Sequence, residues 1–348
     1  MKTQQIVKAH RLPERGRFDF SNEGPPIAYD TGGGYRGGEI LFANDARMLE
    51  TFYSEPLTTY RVGWRDPNDI EGTLNFFAPP VTVGRRFEWK KAVNAEEFLS
   101  EVVDDQRGIG ADFKRVEYTA SDVTDKTINK GLTYIVDLDN VNLNDPNWQN
   151  NVVGKLSRRL YRNELRRAVT LISAAATNTN KTWSSGTNAN PDQDIKDDLV
   201  TATTATGIRP NRISYGDSAF NNRSKAYENV ANTATAYANA AVLTGDALAQ
   251  RLMVDKLIVS RERYQSAAGS KSEILGNVIL AFYAEDGVDT EDPSNVKRFV
   301  SLHSPEQGGG LFAVYAQQLS QKLFALTVSH YSKTVVTFAT GIRKWTIS

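Results

Sequence analysis

The sequence predicts an α+β chain built around one long helix, and three observations carry that prediction. Strand-like alternation at 113–118 and the run Leu132-Thr133-Tyr134-Ile135-Val136 lead into a proline-free stretch that reaches about residue 177. A polar linker at 178–190 is followed by interleaved helix and strand signals. Three strand-like segments, 296–303, 311–319 and 323–338, then close the chain. The last of these is expected to contain a turn.

The first 60 residues read as an extended arm. They hold Gly24-Pro25-Pro26 and the run Thr31-Gly32-Gly33-Gly34-Tyr35-Arg36-Gly37-Gly38, with one short helical candidate at 44–53. From 81 to 136 strand signals flank an acidic insertion. In it Glu96, Glu97, Glu101, Asp104, Asp105 and Asp112 stand against Arg107 alone. Gly108-Ile109-Gly110 marks its tip, and Ser121-Asp122 reads as a break in the ribbon.

The long helix is expected over 146–177. Asp145 at the cap offers a carboxylate to the orphan N–H groups of the first turn, and Pro146 has no N–H to leave unpaired. A helix of roughly 30 residues is about 45 Å long, more than most globular domains use. On a helical wheel Val153, Leu156, Leu160, Ala168, Leu171 and Ile172 form a packing face. Lys155, Arg158, Arg159, Arg162 and Arg166 form a basic stripe opposite. The stripe is either a solvated face with local pairs, for example to Glu164, or a docking surface for an acidic neighbour or for phosphates. The acidic insertion is a natural counterpart.

Lys plus Arg and Asp plus Glu each number 41 in 348 residues, so no net field draws the molecule to a polyanion or a membrane. Without cysteine there is no disulfide, thiolate metal site or cysteine nucleophile. Residues 1–20 lack the apolar stretch of a secretory signal, and no window reaches the roughly 20 apolar residues of a membrane span.

No catalytic constellation emerges. Gly216-Asp217-Ser218-Ala219-Phe220 begins like a nucleophile elbow but lacks the closing glycine. Asp137-Leu138-Asp139-Asn140-Val141 starts like a calcium loop, yet Val141 and Asn142 stand where a ligand and the turn glycine belong, and Trp148 replaces the terminal Glu. The glycines at 32–38 and 308–310 precede no Gly-Lys-Ser/Thr and read as an arm hinge and a hairpin turn. His10, His303 and His330 are scattered and read as structural. No cofactor and no metal is expected.

After the linker, Ile195 to Ala205 reads as a helix ended by Gly207, and Pro210-Asn211 precedes the strand Arg212-Ile213-Ser214-Tyr215. A second helix ends in Leu252-Met253-Val254-Asp255-Lys256 and feeds a strand, and Ile274 to Tyr283 forms another after a short loop. This order resembles the axial domain of tailed-bacteriophage major capsid proteins, whose Pro-Asn and Leu-hydrophobic-Val-Asp-Lys strings both occur here. The remainder is similar to that family in order and size, so the resemblance covers almost the whole chain.

The resemblance implies a Hong Kong 97-like capsid fold with an N-terminal arm (1–60), an extended β-ribbon loop (96–130) and a spine helix (146–177) in the first part of a peripheral domain (61–180). An axial domain (181–292) and returning peripheral strands (293–348) complete it. It implies self-assembly into pentamers and hexamers of an icosahedral shell around double-stranded DNA held by non-specific contact, with a portal and, since the chain reaches the arm at once, a separate scaffolding protein. It also implies no enzymatic activity, no membrane, and a place in the virion after assembly in the host cytoplasm. The loop at 221–241 becomes a candidate axial contact. Some members cross-link subunits through a ribbon lysine, for which Lys114, Lys126 and Lys130 are the candidates, although a solvated lysine is the ordinary reading. An encapsulin-like shell enclosing enzymes and another phage structural protein are the alternatives.

Overall fold

The computed structural model describes residues 52–92, 106–110, 112–113, 120–142, 145–183, 190–228, 240, 243, 245–287 and 293–348. The arm to residue 51, the five acidic residues at 96–105 and Lys114 lie outside the described residues, as does most of the expected 221–241 loop, whose first part, 221–228, is instead helical.

Helices α1 (Glu55–Gly63) and α2 (Ile70–Phe77) precede strands β1 (Pro80–Thr82), β2 (Arg86–Ala92), β3 (Ala120–Lys126) and β4 (Ile128–Asp137). The long helix α3 spans Trp148–Ala175. Next come β5 (Thr177–Lys181), α4 (Pro191–Thr206), β6 (Arg212–Gly216), α5 (Asp217–Glu228), α6 (Gly245–Leu252) and β7 (Lys256–Ser260). The remaining strands are β8 (Arg263–Ala267), β9 (Ser270–Glu273), β10 (Val278–Phe282), β11 (Val296–Ser301), β12 (Phe312–Gln318), β13 (Leu323–Val336) and β14 (Arg343–Ile347). The chain divides into two compact units, one made of residues 1–62, 133–153 and 303–328 and the other of the rest.

In the first unit Phe52 to Ser54 run antiparallel to β12: Ser54 N–H donates to Val314 C=O and Ala316 N–H to Phe52 C=O. The Thr58 hydroxyl of α1 accepts from Val314 N–H at 3.1 Å and donates to Ser54 C=O, so one side chain joins helix and strand. The Arg61 guanidinium lies 3.7 Å from the centre of the Phe312 ring. Trp148 meets Phe324 edge-on at 5.7 Å.

The second unit contains a five-stranded sheet in the order β5-β14-β10-β6-β7. β6 is buried along its whole length. Ile213 and Tyr215 from β6, Ile279 from β10 and Trp345 from β14 pack with Ile195 and Leu199 of α4 and with Leu248 and Leu252 of α6. Burying each such side chain contributes roughly 1.5–3 kcal/mol. Gly207 ends α4 at φ 78°, a left-handed cap that glycine adopts without strain. At Gly216 a Cβ would sit 1.7 Å from the Gly276 carbonyl oxygen, so only glycine fits there. The Asn211 side chain pairs both ways with Ala284, and the Asn211 backbone carbonyl accepts from Asp255 and Lys256 N–H. The Pro-Asn string thus joins the start of β6 to the start of β7 and the end of β10. The sheet takes β5 and β14 from outside residues 181–292.

Elsewhere in this unit β1 and β11 pair in parallel, and β11 pairs antiparallel with the later half of β13. β2 and β3 form the ribbon, with Arg86 opposite Lys126 and Ala92 opposite Ala120. Ser121-Asp122 lies inside β3 and is no break: ladder pairing with β2 overrides the turn preference of these exposed residues. β13 runs 14 residues with no turn. Three further features escape the sequence reading: the β8–β9 hairpin, β14, and β5, which occupies the start of the segment read as a polar linker and pairs in parallel with β14.

Helix α3 begins two residues later than expected. The Asp145 carboxylate accepts from Asn147 N–H at 2.9 Å, and the helical run opens at Trp148. Val153, Leu156, Leu160, Ala168 and Ile172 are buried as the wheel requires, whereas Leu171 is 40 % exposed. No helix among the described residues is long and apolar enough to cross a membrane.

Candidate functional site

The charges of α3 separate into a half-exposed stripe and a buried cluster. On the stripe, the Arg158 Nε donates to Asp66, whose side chain is 1 % exposed and also accepts from Asn68 N–H. Arg162 reaches Glu262 at 3.0 Å. The Arg166 guanidinium carbon lies over the Tyr264 ring, 3.7 Å from its centre, at the start of the β8–β9 hairpin. Three of the five stripe cations are thus engaged within the chain. Lys155 and Arg159 are exposed and make no ion pair among the described residues.

The buried cluster centres on Glu164, 1 % exposed. Sequence reasoning offered it as a partner for the stripe, but it lies one turn from Leu160 and Ala168 on the packing face. A carboxylate within that apolar stripe is the signal that could have revealed it. Lys130 Nζ of β4 donates to both Glu164 oxygens, at 3.0 and 3.2 Å, and to the Ser332 hydroxyl. Ser332 Oγ of β13 donates to Glu164 at 2.6 Å. Arg167 bonds from α3 itself, and His330 Nε2 lies 3.9 Å away.

These neighbours hold the Glu164 carboxyl far below the usual range despite a burial penalty that opposes them. Burial keeps the His330 ring and the Lys130 amine below their ordinary values. Arg298 of β11 is buried nearby and donates to Asn75 at 2.7 Å. The cluster juxtaposes serine, lysine, histidine and glutamate, yet Ser332 is fully buried. A nucleophile there cannot meet a substrate, and the arrangement fastens β4, α3 and β13 together.

A second buried cluster lies under α4 and α5. Arg223, 0 % exposed, donates to both Asp192 oxygens at 2.8 and 2.9 Å and to the Ala240 carbonyl. Arg251 adds a third donor. Tyr227 OH accepts from Asp192 N–H, and burial pushes its pKa up to about 12.

Of the cross-link candidates, Lys126 is exposed at the end of β3 while Lys130 is committed to Glu164. Ser218 of the elbow-like string donates to Glu273 at 2.7 Å, a carboxylate that meets the first turn of α5. The Asp137 carboxylate accepts from Asp139 N–H, and Asp139 pairs with Lys322, so these groups act as turn and surface pairs. His303 N–H donates to the Gly310 carbonyl across the turn at 308–310. Among the described residues no group of His, Asp or Glu is placed to hold a metal ion.

No family model and no curated protein matches the sequence. Solved structures do match. A phage-related protein from Bordetella bronchiseptica RB50 superposes with a TM-score of 0.61 at 16% identity, over 84% of this chain and 96% of its own. The capsid of cyanophage P-SCSP1u gives 0.48 at 10% identity, over 78% and 86%. An encapsulin complex from Synechococcus elongatus PCC 7942 gives 0.43 at 13% identity, over 87% and 94%. With its ribbon, long helix and five-stranded sheet, the chain has an α+β, Hong Kong 97-like fold.

Proposed function

We propose that this chain is the major capsid protein of a tailed bacteriophage. It would be a structural, non-enzymatic subunit that assembles into the pentamers and hexamers of an icosahedral shell around double-stranded DNA. The observation that supports this most is the match to the phage-related protein over 84% of this chain and 96% of that one. The ribbon adds to it: Phe87 and Trp89 anchor β2 against Phe299 and Val335, while β3 is left largely exposed for a neighbour to cover.

In this reading residues 1–60 are the arm, 96–130 the extended loop, 181–292 the axial domain, and 61–180 with 293–348 the peripheral domain. Arm and loop would lie across neighbouring copies in the shell. A portal and a separate scaffolding protein are the further partners. The protein assembles in the host cytoplasm and ends in the virion, touching DNA through non-specific contacts.

Size-exclusion chromatography followed by negative-stain electron microscopy, on the chain expressed alone and with its neighbouring genes, tests the proposal. Closed icosahedral particles that protect nucleic acid from nuclease are expected. Closed particles holding protein cargo and no protected DNA would favour an encapsulin-like compartment. Tubes or a stable monomer in both preparations would overturn the shell reading.

A further inference from the structure

The β8–β9 hairpin holds two helices at once, and strand alternation divides its side chains between them. Glu262, just before β8, takes the Arg162 guanidinium of α3 at 3.0 Å, and Tyr264 lies under Arg166, one turn further along the same helix. Arg261 and Arg263, the residues in between, reach Asp217 at the start of α5, at 3.5 and 3.0 Å. From the returning strand Glu273 accepts from the Ser218 hydroxyl of α5 at 2.7 Å and from Arg263 at 3.1 Å. Ile274 N–H donates to the Glu262 carbonyl and closes the base of the hairpin.

Beyond that base, residues 265–271 are exposed and add nothing to the core. What the hairpin buries is two carboxylates, Glu262 and Glu273, at 14% and 15% exposure, one directed at each helix. Charge-assisted contacts of this kind are directional, so they fix an orientation where apolar burial would only hold surfaces together. Helix α5 in turn moves with the five-stranded sheet, because its Ala219 and Ala226 pack in one core with Ile213 and Tyr215 of β6.

We propose that the β8–β9 hairpin is a brace that sets the angle between α3 and the five-stranded sheet, with Arg162, Glu262, Arg263 and Glu273 as its positioning residues. Its consequence for assembly rests on the shell reading. There α3 belongs to the peripheral domain and most of the sheet to the axial domain, so the brace fixes the pose in which one subunit meets the next.

The chain has no cysteine, so two introduced ones are the only sites a thiol-reactive spin label can take. Arg159→Cys on α3 and Lys225→Cys on α5 are both exposed positions. Double electron–electron resonance on the labelled full chain, diluted with unlabelled chain so that distances within one copy are read, should give a narrow distribution. Glu262→Arg, which sets like charges against each other, should broaden it, and adding Arg162→Glu should narrow it again. Arg263→Gln, which releases the α5 side, should broaden it as well. A distribution that Glu262→Arg leaves unchanged would overturn the brace, as would a broadening that Arg162→Glu fails to reverse. On electron micrographs Glu262→Arg should lose the uniform shell size of the wild type and the charge-swapped pair should regain it. Uniform shells from a variant whose distances have broadened would overturn the role in assembly. A wild type that gives the narrow distances and forms no shells would overturn the shell reading and leave the brace standing.

Discussion

Asp192 and Glu164 are both 1 % exposed, and both gather several cationic or hydroxyl donors, but they are held by different chemistry. Asp192 is gripped by Arg223 and Arg251, and Arg223 is itself entirely buried. Its guanidinium stays charged at any pH, its proton affinity raised further by the carboxylate beside it, although burial opposes this. Glu164 is held by a lysine, a serine and a half-exposed arginine, with a histidine alongside. Two of those neighbours titrate. Two equally buried carboxylates can therefore differ in what breaks them: loss of a partner for Asp192, and acid for Glu164.

The largest effect is expected at Asp192. Asp192→Asn leaves the Arg223 guanidinium buried with no counter-charge, and breaking a buried pair costs about 3–5 kcal/mol. The midpoint of denaturant unfolding measures it. Glu164→Gln should cost less, about 1.5–3 kcal/mol, because Arg167 is half exposed and Lys130 partly so, and both can turn to water. An equal or larger loss at Glu164 would show that Lys130 is trapped as firmly as Arg223.

Acid sharpens the contrast. Burial depresses the His330 pKa below 6.5, so between that value and its folded one the unfolded chain binds more protons. Stability is therefore lost as pH falls from about 6.5, by up to about 1.4 kcal/mol per pH unit for one proton. Burial dominates the His330 shift, and the charged groups that modulate it are Glu164 on α3, Lys130 on β4 and Arg298 on β11. Glu164, also depressed, adds a second loss as pH falls below 4.5. His330→Gln should remove the first decline and leave the second, as read from melting temperatures between pH 7 and 4. A variant that keeps the full decline from pH 6.5 would take His330 out of the account.

The two clusters also differ in how visible they were in the sequence. The helix Pro191–Thr206, its Gly207 cap and the Pro210-Asn211 string are local signals, each rooted in a backbone need. The Glu164 cluster joins residues 130, 164, 330 and 332, which only long-range strand and helix packing brings together. The same cluster explains the turn wrongly expected in β13. Ser329, His330 and Ser332 are polar yet buried, and the last two face Glu164, so a polar stretch continues as strand. The β8–β9 hairpin was missed for the opposite reason. β8 is mostly exposed, so no apolar alternation marks it.

The smallest effect lies outside both clusters, where α3 meets that hairpin. Arg166 is exposed and its guanidinium carbon lies 3.7 Å from the centre of the Tyr264 ring, a cation–π contact that contributes about 0.5–1 kcal/mol in water. Four residues earlier Arg162 pairs with Glu262, which is 14 % exposed. If the stripe fastens the hairpin in two independent places, a double-mutant cycle between Arg166→Met and Tyr264→Leu should give a coupling in that range, unchanged when Arg162→Met is added. A coupling that vanishes in the Arg162→Met background would mean that the ion pair positions the hairpin and the ring contact only follows. Exposed cations of α3 would then matter to the fold through a single anchored pair, as the buried carboxylates do through their partners.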